Sequence, residues 1–77
     1  MYGTSWCGDC RRARRVFEQH QTAFEYVDIE QDDSARAYVE RVNGGYSSVP
    51  TIIFPDGSVM TEPSSAALIT KLEGLNG

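Results

Sequence analysis

Residues 5–20 read Ser5-Trp6-Cys7-Gly8-Asp9-Cys10-Arg11-Arg12-Ala13-Arg14-Arg15-Val16-Phe17-Glu18-Gln19-His20, and this stretch decides the fold. Cys10, Ala13, Val16 and Phe17 recur at i, i+3, i+6 and i+7, an apolar stripe with arginines on the opposite side. The spacing predicts a helix from Cys10 to about His20. Met1–Thr4 before it reads as the end of a short strand. The cysteine pair therefore stands where a strand gives way to a helix. N–H groups and the positive end of a helix dipole stabilise an anion at such a point. The thiolate is the reactive form of cysteine. Cys7, just outside the first turn, is the expected nucleophile. Cys10, one turn further on, is the expected resolving thiol. The arginines after it add positive potential, and Asp9 works against them.

Working outward, Ala23–Ile29 alternates and reads as a strand. Ala35, Tyr38, Val39 and Val42 fall at i, i+3, i+4 and i+7 and predict a second helix, capped by Asp33 or Ser34. Asn43-Gly44-Gly45 ends it with residues that tolerate left-handed backbone. Thr51–Phe54 is β-branched and aromatic, Pro55-Asp56-Gly57 is a turn, and Ser58–Thr61 returns as a hairpin partner. Pro63 with Ser64 or Ser65 opens a last helix, whose inner stripe is Leu68, Ile69 and Leu72. Gly74 and Gly77 are expected to fray its end. The order βαβαββα contains a right-handed parallel βαβ unit and an antiparallel hairpin. A four-stranded mixed sheet between helical layers, an α/β sandwich, satisfies both.

Composition bounds the function. Seventy-seven residues, 40% of them hydrophobic, make residues 1–77 one small domain with a thin core. A bridge between the two cysteines closes too short a ring to staple the fold. The pair therefore asks for a chemical explanation. The net charge of −4 argues against nucleic acid and anionic membrane surfaces as partners. No apolar run approaches a membrane span, and the start has no secretory pattern, so a cytoplasmic protein is expected. In a reducing compartment a close cysteine pair is more often catalytic or metal-binding than structural. A zinc site needs four ligands, and beyond the cysteines only His20 and carboxylates are on offer. Two structural free thiols are the remaining plain alternative.

Trp6-Cys7-Gly8-Asp9-Cys10, Ser48-Val49-Pro50-Thr51 before a strand, and the element order together resemble the thioredoxin fold in its short glutaredoxin form. Tyr2-x-Thr4-Ser5-Trp6-Cys7-Gly8, Val27-Asp28-Ile29-Glu30, Val42-Asn43-Gly44-Gly45, Asp56-Gly57-Ser58 and Pro63-Ser64 resemble the mycoredoxin-like group of that family. The resemblance covers nearly the whole chain. It implies a thioredoxin-like three-layer sandwich with a shortened first strand. It also implies a cis-proline at Pro50 facing the cysteines, and backbone pairing of Val49 with the cysteinyl part of a bound thiol. The implied activity is thiol–disulfide exchange by Cys7 and Cys10, with no cofactor or metal and a low-molecular-weight thiol as co-substrate. The expected small-thiol site comprises Trp6, Gly8, Ser48, Val49, Pro50, Thr61 and Ser64.

Glutathione-using members usually carry Lys where this chain has Thr4. They often carry cations near the cis-proline loop, where Tyr46, Ser47 and Ser48 stand. Thr61–Ser65 also departs from their γ-glutamyl-binding segment, and Glu62 repels a carboxylate. A sugar-linked thiol of the mycothiol or bacillithiol type is expected in preference. Expected partners are that thiol, thiolated or disulfide-bonded proteins, and a flavin-dependent disulfide reductase as donor. A monomer is expected. Two other functions stay open: a thioredoxin-like dithiol donor to a reductase, and a non-enzymatic metal or iron–sulfur carrier.

Overall fold

A computed structural model describes residues 1–76. Its elements are β1 (Tyr2–Gly3), α1 (Gly8–Gln19), β2 (Val27–Asp28), α2 (Asp33–Val42), β3 (Thr51–Ile53), β4 (Val59–Thr61) and α3 (Ser65–Asn76). The strands form one mixed sheet in the order β2-β1-β3-β4. β1 pairs parallel with β2 and antiparallel with β3, and β3 pairs antiparallel with β4.

Strand alternation sends successive side chains to opposite faces. Ile52 and, just beyond β3, Phe54 join Ala13, Val16 and Phe17 of α1 and Leu68 and Leu72 of α3 in one buried cluster. The other face meets α2. There Tyr2 packs on Tyr38 in a tilted pair at 5.5 Å between ring centroids, and Thr51 bonds to Asn43 at the end of α2. Two helices thus cover one face and one covers the other. Each fully buried leucine in the cluster contributes roughly 1.5–3 kcal/mol. No helix among the described residues is long and apolar enough to cross a membrane.

The expected order holds, with local differences. α1 begins at Gly8 rather than Cys10, because Cys7 itself caps it. The strand expected over 23–29 is reduced to Val27–Asp28, since β1 offers two residues for parallel pairing. Asp32, rather than Asp33 or Ser34, caps α2: its carboxylate accepts the Ala35 N–H at 3.0 Å. Val39 is fully buried on α2, but Val42, expected on the same stripe, is exposed. β3 stops at Ile53, where the Phe54 N–H turns to the Ser58 carbonyl. β4 accordingly starts at Val59 instead of Ser58. Gly57 takes a φ of 86° in the turn between them, which a side chain would resist. Ser64 caps α3 through its Oγ, which accepts the Ala67 N–H at 3.1 Å. α3 continues through Gly74, which does not fray it; Gly77 lies outside the described residues.

Candidate active site

The first turn of α1 is built around a sulfur. Cys7 occupies the capping position with extended backbone, and its Sγ accepts the Cys10 N–H at 3.1 Å. Serine or aspartate oxygens usually fill that role. The Cys7 N–H bonds to the Thr4 carbonyl at 3.4 Å, which fixes the bend from β1 into α1. The Cys7 thiol is aimed at the Val49 carbonyl, 3.9 Å away. The Val49–Pro50 peptide bond is cis. Pro50 is fully buried.

An open cleft of about 470 Å³ lies over Cys7. Trp6, Gly8 and Asp9 line it together with Ser47, Ser48, Val49 and Glu62. No lysine or arginine is among these lining residues. Asp9 is paired with Arg12 at 3.1 Å across half-exposed side chains. Such a pair is worth at most about 1 kcal/mol. Glu62 makes no ion pair among the described residues. A smaller cleft of about 120 Å³ adjoins the first and shares Trp6, Ser47 and Val49 with it. Thr4, Ile29, Glu30 and Arg36 complete its wall. Thr4 is buried, and its Oγ1 has no hydrogen-bond partner among the described residues. A buried unpaired hydroxyl is costly to the fold unless something else satisfies it.

The two thiols differ in surroundings. Cys10 is 1% exposed. Burial pushes its thiol up to about 12, and a hydrogen bond with Cys7 adds to the rise. Cys10 is therefore a protonated thiol at neutral pH, while Cys7 lines the open cleft.

Four of the seven expected small-thiol residues, Trp6, Gly8, Ser48 and Val49, line the cleft, whereas Pro50, cis-bonded to Val49, is fully buried and does not line it. Thr61 and Ser64 do not line it. Thr61 donates its hydroxyl to Asn43 Oδ1 at 2.7 Å, and the Ser64 hydroxyl is occupied as a helix cap. Tyr46 is also outside the cleft and exposed.

Sequence reasoning missed Asn43. Its Nδ2 donates to the Val39 carbonyl and to Thr51 Oγ1, at 2.9 and 3.0 Å. Thr51 Oγ1 in turn donates to the Ser48 carbonyl at 2.7 Å. The end of α2, the loop before Pro50 and β4 are tied through one amide. A second tie joins the Glu62 N–H to the Pro50 carbonyl at 2.8 Å. Gly3 was missed as well. A Cβ there would stand 2.8 Å from Cys10 Sγ, so the absent side chain is what lets α1 approach β1. A glycine inside a strand is a signal of close approach that the sequence does carry.

The glutaredoxin family model matches residues 1–59. The chain belongs to the glutaredoxin family. A Mycobacterium tuberculosis protein named as a putative glutaredoxin is 42% identical over 77 residues, all of this chain and 92% of its own length. Mycoredoxin 1 of Corynebacterium glutamicum is 35% identical over 75 residues, 97% of this chain and 92% of its own. This glutaredoxin is a thiol–disulfide oxidoreductase, acting with low-molecular-weight thiols on thiolated or disulfide-bonded proteins. Its thioredoxin-like sandwich presents Cys7 at the head of α1, opposite Val49.

Proposed function

We propose that this glutaredoxin removes a sugar-linked small thiol without carboxylates, of the mycothiol type, from proteins through Cys7 in preference to glutathione. The observation that carries this reading is the charge of the cleft: Asp9 and Glu62 line it, and no cation does. Asp9 is offset by Arg12, but a glutathione carboxylate within about 4 Å of Glu62 loses roughly 1 kcal/mol even at the dielectric of water, near a fivefold loss in affinity. Sugar hydroxyls carry no such penalty and both donate and accept. The Glu30 side chain that lines the adjoining cleft can accept from them. The name of the Corynebacterium relative points the same way.

In the proposed reaction the Cys7 thiolate attacks the small-thiol sulfur of the mixed disulfide. The protein thiolate leaves and is protonated by water. A second small-thiol molecule then attacks the adduct on Cys7, releasing the small-thiol disulfide and regenerating Cys7. A flavin-dependent disulfide reductase would recycle that product. No bound cofactor or metal takes part.

The test uses one target protein carrying mycothiol, bacillithiol or glutathione, with wild type, Cys7→Ser and Cys10→Ser. Wild type should clear the mycothiol adduct at least fivefold faster than the glutathione adduct. Cys7→Ser should be inactive and Cys10→Ser active. Faster clearance of glutathione overturns the small-thiol assignment. Equal loss in both cysteine variants replaces the route with a dithiol one.

A further inference from the structure

Among the described residues, two that are not glycine take left-handed backbone: Gln21 at a φ of 52° and Glu62 at 49°. Gln21 has a structural reason. It closes the end of α1, where its N–H bonds to the Glu18 carbonyl and the Thr22 N–H to the Phe17 carbonyl. Glu62 ends no helix. It follows β4 and precedes Pro63, and a residue before proline prefers extended backbone. Glycine or asparagine takes a positive φ more readily than glutamate does. Strain of this kind gathers at functional sites.

Glu62 lines the cleft that opens over Cys7, and it is exposed. Its N–H bonds to the Pro50 carbonyl at 2.8 Å, which holds its backbone to the loop facing the Cys7 sulfur. The other charges around the site come in opposite signs. Asp9 is paired with Arg12, and Glu30 and Arg36 share the wall of the adjoining cleft. Glu62 has no ion-pair partner among the described residues. It therefore leaves one uncompensated negative charge where the substrate must approach Cys7. Such a carboxylate attracts a cation and repels an anion.

We propose that Glu62 selects target proteins that carry a lysine or arginine beside the thiolated cysteine. A thiolated protein brings two parts to Cys7, the small thiol and the polypeptide. On the function proposed above, a mycothiol-type thiol brings no cation, so the choice of the polypeptide as its source rests on that reading. The ammonium or guanidinium of the target lies against the Glu62 carboxylate while Cys7 attacks the mixed disulfide. An acidic residue in the same place is repelled. No bond to Glu62 forms or breaks, so it determines specificity and is not a catalytic residue.

The experiment uses peptides that differ only beside one cysteine, which is flanked by lysine, alanine or glutamate. That cysteine is joined by a disulfide to mercaptoethanol, a neutral thiol, so the readout does not depend on which small thiol the protein uses. A further substrate joins the alanine peptide to cysteamine, which puts the cation on the small thiol instead. Reduced protein is mixed in excess with each, and loss of the peptide disulfide is followed by mass spectrometry. At about 0.01 M ionic strength wild type should consume the lysine peptide at least about fivefold faster than the glutamate peptide. The ratio should shrink at about 1 M salt, where charges act over only about 3 Å. Glu62→Gln should bring it to within about twofold of unity, and Glu62→Lys should invert it. Each ratio is taken within one variant, so a general loss of stability does not move it. A wild-type ratio near unity overturns the proposal, and so does a ratio that survives in Glu62→Gln. A Glu62 dependence seen with the cysteamine adduct and not with the lysine peptide also overturns it, by moving the cation to the small thiol. Preference for glutathione over mycothiol adducts would overturn the function proposed above without moving these ratios.

Discussion

Gly3→Ala places a methyl group 2.8 Å from Cys10 Sγ and 3.2 Å from two atoms of Tyr26. Ordinary non-bonded contacts run at roughly 3.5–4.0 Å, so the sulfur overlap must be relieved by movement. Cys10 is fixed in the first turn of α1, where its N–H bonds to Cys7 Sγ. β1 is only two residues long and has little pairing with which to resist. Overpacking of this kind costs about 1–3 kcal/mol. Replacing glycine within a strand returns roughly 0.5–1 kcal/mol through backbone entropy. The net loss is about 1–2 kcal/mol. At about 2.1 cal/mol/K per residue, a chain of this size loses roughly 6 °C in Tm per kcal/mol. Gly3→Ala should therefore melt about 6–12 °C below wild type, measured by circular dichroism on the reduced protein. In a Cys10→Ala background the sulfur is gone and the fall should shrink by half or more. A Tm within about 2 °C of wild type would refute the reasoning. The same fall in both backgrounds would also refute it, since the sulfur would then not be the obstacle.

Asn43→Ala removes the amide that ties α2 to β3, β4 and, through Thr51, to the loop before Pro50. Leaving the Thr51 hydroxyl and the Val39 carbonyl short of a partner should cost about 1–3 kcal/mol in a denaturant titration. It should also raise KM for the mixed disulfide more than it lowers kcat, because the Cys7 sulfur keeps its cap. Cys10 supplies a pH test. Its folded thiol titrates near 12 against 9.0 for the ordinary value, so the native state holds a proton that the unfolded chain releases. The stability is complete below about pH 9 and falls as pH rises toward 12. Melting of the reduced protein should show that alkaline limb, and Cys10→Ala should flatten it. In a Cys7→Ser background, iodoacetamide should leave native Cys10 unmodified at neutral pH and label it on unfolding.

Much of the architecture was legible from local pattern. Cys10, Ala13, Val16 and Phe17 sit at helical spacing, and all four are buried on α1. Asp56 and Gly57 form the expected turn, with the Asp56 carboxylate accepting the Ser58 N–H at 2.9 Å. Element boundaries were less legible, because they depend on partners distant in the chain. The segment 23–26 has strand character, but of residues 23–29 only Val27 and Asp28 pair with β1.

The sequence by itself determined the element order, the family and the cysteine pair at the head of a helix, because these follow from spacing and residue type within short windows. Tertiary structure alone decided the rest. Thr61 has the chemistry to hold a ligand, yet its hydroxyl is committed to Asn43, eighteen residues away. Cys10 and Tyr26 are sixteen residues apart in sequence, and only the βαβ crossover brings both against Gly3. The charge of the cleft likewise emerges when Asp9 and Glu62, far apart in the sequence, come to line the same cleft as Cys7. Local pattern is written in neighbours, whereas a site is a sum over groups that only folding makes neighbours.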